Sequence, residues 1–254
     1  MVSTNMDSVL ELARGIESTA VDALGRDRFQ VSAEPDILVI AMAVRCLALF
    51  QGVIRCARDA LADPAMAAAR SLLEQRFVML AIVRSADDPE RSRRLALLVA
   101  QAESDRARAL KKLKSLPTSE RSEQVTDQLL AEAEARLGID RKEASAETWA
   151  RWADLHGLYL TAYASLSLHV HPSYLALDPM IRRGANGELL ISAKPHQNAL
   201  PRTVLLAAEA MVDALASLPE GFASPEGVAA IALHRKAIEG LWKGMPELDL
   251  TIEP

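Results

Sequence analysis

Apolar residues recur at helical spacing along most of the chain, and proline-containing breakers separate the runs. Asp63-Pro64, Asp88-Pro89 and Ser224-Pro225 each place a capping side chain before a proline that suits the first turn of a helix. The pattern predicts helices over residues 6–24, 35–61, 64–86, 89–115, 119–137, 146–170, 199–217 and 225–243.

One segment departs from the helical pattern. Between Met180 and Ile191, two short apolar runs flank a turn rich in glycine and asparagine, which is typical of a β-hairpin. We therefore predict an all-α fold, a single helical bundle that carries one short β-hairpin over about residues 180–191.

Residues 89–137 are dense in charge and have small apolar residues at heptad spacing. This texture predicts a helical hairpin that projects as an arm from a core built of about residues 35–88 and 146–243. No low-complexity linker divides the sequence. We therefore expect one domain over residues 1–254.

Composition agrees with a helical fold, because aromatic residues make up only 4% of the chain. A formal charge of −5 argues against a protein whose whole surface binds nucleic acid or anionic lipid. The N-terminus lacks a signal-peptide pattern, and the longest purely apolar run, residues 37–44, is far shorter than the roughly 20 residues of a membrane span. We expect a cytoplasmic protein without a membrane segment.

The predicted arm carries a basic stripe that is a candidate contact surface for nucleic-acid phosphates. Its candidate residues are Arg91, Arg94, Arg108, Lys111 and Lys112. The alternative is an ordinary solvated helix face, balanced by the acidic helix predicted at 119–137. No aromatic residue interleaves with the stripe, so base stacking is not expected there.

Residues 155–177 contain no Asp, Glu, Lys or Arg, although a quarter of the chain is charged. This absence predicts a central, buried helix. Tyr163, Ser167 and His171 follow one another at four-residue spacing within it, which places them in one polar stripe. Buried polar groups need partners, so the stripe is either a functional site or a network satisfied internally.

A second polar pair, Arg70 and Glu74, interrupts the sparsely charged helix predicted at 64–86. In the Arg-then-Glu order, an i, i+4 pair gains less from the helix dipole than the reverse order does. Simple helix stabilisation therefore explains the pair poorly. We predict that Arg70 or Glu74 contacts the stripe of Tyr163, Ser167 and His171.

These residues carry a family resemblance. Ala69-Arg-Ser-Leu-Leu-Glu74, followed by Tyr163-x-x-x-Ser167-x-x-x-His171-Pro-Ser, resembles a widespread bacterial all-helical family known only as a domain of unknown function, over about residues 35–180. That family is in turn reminiscent of HEPN domains, helical bundles of toxin and antiviral systems. The resemblance implies a helical core with Arg70, Glu74, Tyr163, Ser167 and His171 at its characteristic polar positions.

Ribonuclease members of the HEPN group use an Arg-x(4–6)-His pair, and Arg151 and His156 have that spacing. Chance alone gives about one such pair in a chain with this many arginines and histidines, so the match is a weak signal. Trp152 also departs from the polar residue that is usual at the second position. Arg151 and His156 are therefore the weaker candidates for a catalytic pair.

A metal site is a minority interpretation, with His169, His171 and Glu74 as ligands. Two histidines at i, i+2 diverge on a helix, so they bind one ion only if the helix ends between them. The sequence has no glycine-rich phosphate loop, and we expect no cofactor.

Three functions stay open at this stage. The first is a HEPN-like effector that acts on RNA or a nucleotide, with His171 as acid or base, Arg70 on phosphate charge and Glu74 orienting either of them. The second is a noncatalytic module for a small ligand or a partner such as an antitoxin protein, and the third is a metal-dependent hydrolase. The alanine-rich helices and the HEPN resemblance further suggest a homodimer in a toxin or phage-defence system.

Overall fold

The structure is a computed structural model, which describes residues 6–25, 34–114, 128, 145–170, 180–183, 186, 188–191 and 197–245. In chain order its elements are α1 Met6–Leu24, α2 Glu34–Arg58, α3 Ala62–Val83, α4 Asp88–Lys114, α5 Ala146–Trp152, α6 His156–Leu158, a π-helical turn Tyr159–Tyr163, α7 Ala164–Val170, β1 Ile181–Arg183, β2 Leu189–Ile191, a 3₁₀ turn Gln197–Ala199, α8 Leu200–Ala216 and α9 Pro225–Lys243. The predicted all-α class is confirmed.

Most predicted helix boundaries agree with the structure. The ranges 6–24 and 225–243 coincide with α1 and α9, and four further helices agree within three residues at each end. The helix predicted at 119–137 lies outside the described residues except for Gln128.

The proline-containing caps are partly as predicted. Ser224 caps α9, because its hydroxyl accepts a hydrogen bond from the Gly227 amide at 3.1 Å. At α4 the capping residue is Asp87 and not the predicted Asp88, since the Asp87 carboxylate accepts from the Glu90 amide at 2.8 Å.

The prediction of one continuous helix over 146–170 is wrong. Helix α5 ends at Trp152, and Asp154 then adopts a left-handed backbone with φ 57°. The Leu155 amide turns back to the Ala150 carbonyl at 2.8 Å, which satisfies the end of the helix as left-handed caps do. Aspartate tolerates this conformation better than most residues, so no glycine announces the break.

The chain separates into two compact units, one formed by Met1–Leu80 with Gly157–Pro254 and one by Ala81–His156. In the first unit α8 occupies the centre, where it packs against α1, α2 and α9 and buries 12 of its 17 residues. The single-domain organisation and the projecting arm stay predictions.

The prediction that residues 155–177 form the central, buried helix is wrong for the part of it that the structure describes. Between residues 157 and 168 only Tyr163 and Leu166 are buried, whereas Leu160 is 58% exposed and Leu168 is 45% exposed. Residues 171–177 lie outside the described part of the chain. A lack of charge therefore does not mean burial here, because hydroxyls, small residues and two exposed leucines form much of this surface.

The predicted β-hairpin is confirmed. Strands β1 and β2 pair antiparallel, with Ile181 opposite Ile191 and Arg183 opposite Leu189. Ile191 is 79% exposed, so the hairpin presents apolar surface to solvent.

Helix α2 contains a segment, Asp36–Arg58, that is long and apolar enough to cross a membrane by length and composition. Half of its most apolar window is buried within the protein, and core helices of soluble proteins meet the same criterion. Its contacts with α1 and α8 make it a core helix of the first unit. Its cysteines, Cys46 and Cys56, are both free, and burial raises the pKa of the Cys46 thiol to about 12.

Candidate functional site

Four polar side chains from α3 and from the segment after α6 converge in the first unit. Arg70 donates from Nε to the Ser167 hydroxyl at 3.0 Å and from Nη2 to the Tyr163 hydroxyl at 2.8 Å. The Tyr163 hydroxyl in turn donates to Oε1 of Glu74 at 2.5 Å, and Arg70 Nη2 lies 3.0 Å from the same oxygen. The predicted contact between the Arg70/Glu74 pair and the polar stripe is confirmed for Tyr163 and Ser167.

The local backbone explains how Tyr163 reaches this position. It is the last residue of the π-helical turn Tyr159–Tyr163, a wider turn that often occurs at functional sites. The rings of Tyr159 and Tyr163 stack with centroids 5.1 Å apart, and Phe77 meets both rings edge-on. The phenol of Tyr163 is therefore held from two sides, with the Arg70 guanidinium 5.0 Å from its ring centre.

Each hydroxyl of the cluster both accepts and donates a hydrogen bond within the protein. Ser167 accepts from Arg70 and donates to the Tyr163 carbonyl at 2.8 Å. Tyr163 accepts from Arg70 and donates to Glu74. Burial, followed by the hydrogen bond and negative charge of Glu74, raises the pKa of Tyr163 to about 12, so the phenol is neutral near pH 7. Neither hydroxyl is therefore arranged as an activated nucleophile.

Two atoms of the Arg70–Glu74 ion pair make no hydrogen bond to the described residues. Arg70 is 21% exposed and Glu74 is 34% exposed. Within the described part of the chain, no hydrogen bond to Nη1 of Arg70 or to Oε2 of Glu74 is present. Nη1 is therefore a candidate donor, and Oε2 a candidate acceptor, for another molecule.

The predicted histidines are outside this description. His171 lies outside the described residues, as does the side chain of His169. Among the residues that the structure does describe, no group of three His, Cys, Asp or Glu side chains is placed to hold a metal ion. The metal interpretation with His169, His171 and Glu74 depends on the two histidines and stays a prediction.

The weaker pair, Arg151 and His156, meets on a third residue within the second unit. Arg151 Nη2 lies 2.7 Å and His156 Nε2 lies 3.1 Å from the same carboxylate oxygen of Glu147. The hydrogen bonds from Arg151 and then His156 hold the pKa of Glu147 below its usual value. The helix ends between the two residues, so this convergence comes from the turn at Asp154 and not from the helical spacing that the sequence suggested.

The basic stripe loses one member in the structure. Arg94 is only 6% exposed, donates to the Ala81 carbonyl and to Glu90, and lies 5.1 Å from the ring centre of Trp152. A guanidinium held in this way is a packing group of the second unit. The prediction that Arg94 contacts nucleic acid is therefore wrong.

The other members of the stripe lie nearer the surface. Arg108 is half exposed, with Nη2 3.5 Å from the Asp105 carboxylate, and Lys111 and Lys112 are exposed. Arg91 is partly buried. Their contact with nucleic acid stays a prediction.

Sequence reasoning missed a second polar cluster in the first unit. Arg76 donates from Nε to Oδ2 of Asp213 at 2.8 Å, and Arg235 donates to the other oxygen of Asp213 at 2.8 Å. Glu209 adds a carboxylate 3.5 Å from Arg76 Nη1. The available signal was Asp213 itself, an acidic residue that lies among apolar residues of α8 and therefore requires a partner when it is buried.

Among known proteins, no curated protein and no solved structure matches the chain. A family profile matches residues 36–189, more than half of the sequence, and this range contains Arg70, Glu74, Tyr163 and Ser167. The chain therefore belongs to the family of unknown function DUF5677.

Proposed function

We propose that this chain is a HEPN-like helical effector that binds RNA or a nucleotide at the cluster of Arg70, Glu74, Tyr163 and Ser167. The observation that carries the proposal is the state of Arg70. Its Nε and Nη2 are held by Ser167, Tyr163 and Glu74, and its Nη1 has no protein acceptor among the described residues.

A guanidinium held in this way is suited to recognition. A free arginine side chain loses up to about 2 kcal/mol of rotamer entropy when it is fixed by a ligand. In this cluster the hydrogen bonds within the protein have already fixed it. The ligand then gains a charge-assisted hydrogen bond without ordering the side chain itself.

Catalysis in this proposal rests on His171. The residue occupies the next four-residue step of the stripe after Tyr163 and Ser167, and imidazole is the side chain best suited to proton transfer near neutral pH. The homodimer, the cytoplasmic location and the role in a toxin or defence system belong to the same proposal. The alanine-rich helices and the HEPN resemblance support the homodimer, and the HEPN resemblance supports the role in a toxin or defence system.

The test is binding of a fluorescent single-stranded RNA octamer that contains all four bases, followed by anisotropy. Arg70→Ala is expected to weaken binding at least about tenfold, because a hydrogen bond to a charged group contributes about 1.5–3 kcal/mol. The melting temperature is recorded for each variant, so that lost binding is separated from unfolding.

The matched control is Arg235→Ala. Arg235 also lies in the first unit and also pairs with a carboxylate, but it belongs to the other polar cluster. Binding that is lost equally in Arg235→Ala and Arg70→Ala would place recognition elsewhere. Binding that survives in Arg70→Ala but fails in Arg151→Ala would move the site to Arg151 and His156.

A noncatalytic binding module is the second candidate. It is favoured because the hydroxyls of Tyr163 and Ser167 both donate their protons to acceptors within the protein. RNA cleavage distinguishes the two functions. The effector proposal predicts cleavage by the wild type and a loss of about 10²–10⁴ in rate in His171→Ala at unchanged melting temperature. Binding without cleavage supports the module.

A further inference from the structure

The opposite charges of Arg70 and Glu74 compensate each other within the cluster. The guanidinium and the carboxylate lie 3.0 Å apart, and the Tyr163 phenol between them is neutral near pH 7. Among the described residues, Arg70 and Glu74 are also the charged groups that act on this phenol. The cluster is therefore formally uncharged.

An uncharged cluster is a poor receptor for phosphate. Phosphate sites combine uncompensated cations with several hydrogen-bond donors, because the phosphodiester of a nucleic acid has only acceptor oxygens at neutral pH. A phosphate at Nη1 of Arg70 would lie near the Glu74 carboxylate, and like charges at such short range repel. The carboxylate oxygen left over, Oε2, would have no donor to accept from.

A flat group with an acceptor beside a donor satisfies both atoms. Nη1 of Arg70 donates to the acceptor, and Oε2 of Glu74 accepts from the donor. The edges of all four RNA bases offer this combination, and proteins read unstacked bases on those edges. The half-buried ring of Tyr159, stacked on Tyr163, adds aromatic surface next to the tyrosine of the cluster, and unstacked bases commonly stack on such surfaces.

We infer that this cluster recognises the edge of a nucleobase and not a phosphate group, an inference that rests on the proposed binding of RNA or a nucleotide. Glu74 is then a specificity-determining residue that accepts a hydrogen bond from the base. The phosphates of the ligand contact other parts of the protein.

The decisive variant is Glu74→Gln, because the two ligand chemistries predict opposite signs. For a base edge, the variant loses a charged acceptor, and affinity for the RNA octamer falls about tenfold or more. For a phosphate, the variant removes the repelling charge beside Arg70, and affinity rises. Tighter binding in Glu74→Gln would overturn the inference.

Glu209→Gln is the matched control. Glu209 is 38% exposed, close to the 34% of Glu74, and it also pairs with an arginine of α3. The expected change in RNA affinity is less than twofold. An equal loss in both variants would mean a general charge effect and would contradict the role of Glu74.

Competition experiments on the wild-type protein do not depend on whether a variant folds. Guanosine, adenosine, cytidine and uridine are each added to the preformed RNA complex, and inorganic phosphate is added separately at the same concentration and ionic strength. At least one nucleoside is expected to displace the octamer, while phosphate does not.

Displacement by phosphate alone overturns the base-edge inference and leaves the proposed function standing. A wild type that binds neither the octamer nor any mononucleotide refutes the proposed function itself, and the inference with it.

Discussion

Arg70 and Arg76 lie six residues apart on α3, and each anchors a polar cluster in the first unit. The Arg76 and Asp213 side chains are 6% and 12% exposed, and the Arg70 and Glu74 side chains are 21% and 34% exposed. The chemistry of the two clusters is similar, but their accessibility differs. Because of this difference, we interpret the Arg76 cluster as one that holds helices together and propose that the Arg70 cluster contacts a ligand.

The Arg76 cluster is committed to the fold. Asp213 uses one carboxylate oxygen for Arg76 of α3 and the other for Arg235 of α9, and Asp213 itself lies on α8. It therefore ties three helices together. The Arg70 cluster uses one edge of the guanidinium in the same way, but Nη1 of Arg70 and Oε2 of Glu74 have no hydrogen bond within the described part of the chain.

Asp213→Ala is expected to have the largest effect on stability. The variant leaves the Arg76 guanidinium buried with only Glu209 near it, and breaking a buried ion pair typically costs about 3–5 kcal/mol. Urea denaturation followed by circular dichroism measures the loss. A loss below about 1 kcal/mol would show that the cluster does not hold the helices together.

Tyr163→Phe is expected to cost less, about 1 kcal/mol. The variant removes a hydroxyl that bridges Arg70 and Glu74, but both partners are partly exposed and water can replace it. A double-mutant cycle with Ser167→Ala measures the coupling within the cluster, expected to be above about 0.5 kcal/mol because both hydroxyls share Arg70. Simple additivity would contradict a connected network.

The same tyrosine predicts a pH dependence at high pH. Its pKa is raised from 10.0 to about 12 by burial and then by Glu74, so the folded protein holds the proton more tightly than the unfolded chain. The resulting stability is complete below pH 10 and is lost as pH rises towards 12. Absorbance titration should show a late ionisation step that Tyr163→Phe removes. A titration of the wild type without that late step would contradict the burial of this phenol.

Arg235→Ala is expected to have the smallest effect, at most about 1 kcal/mol. Arg235 is 52% exposed and water replaces it readily, while Arg76 still compensates Asp213. A loss as large as that of Asp213→Ala would mean that the outer arginine, and not the buried one, carries the cluster.

Local signals in the sequence predicted much of the fold. The Ser224-Pro225 cap and the apolar spacing gave the bounds of α9, and the glycine-rich turn gave the hairpin. Residue order also predicted that Arg70 and Glu74 meet Tyr163 and Ser167, because a charged pair on a sparsely charged helix needs polar partners.

Three features of the structure could not be predicted from such local signals. The break at Asp154 depends on one left-handed residue that is not glycine. The central place of α8 could not be predicted, because the absence of charge in residues 155–177 pointed to another helix, whereas α8 contains Glu209 and Asp213. The pairing of Arg76 with Asp213 joins residues 137 positions apart, a separation over which periodicity carries no information.

The central claim is that Arg70 contacts a ligand and Arg76 does not. Both Nε–H groups donate to protein oxygens, so protein labelled with ¹⁵N-arginine should give a resolved side-chain signal for each. Arg70→Ala and Arg76→Lys assign the two signals by their loss. On addition of the RNA octamer to saturation, the Arg70 signal is predicted to shift while that of Arg76 stays in place. A stationary Arg70 signal beside a shifted signal from any other arginine would contradict the account.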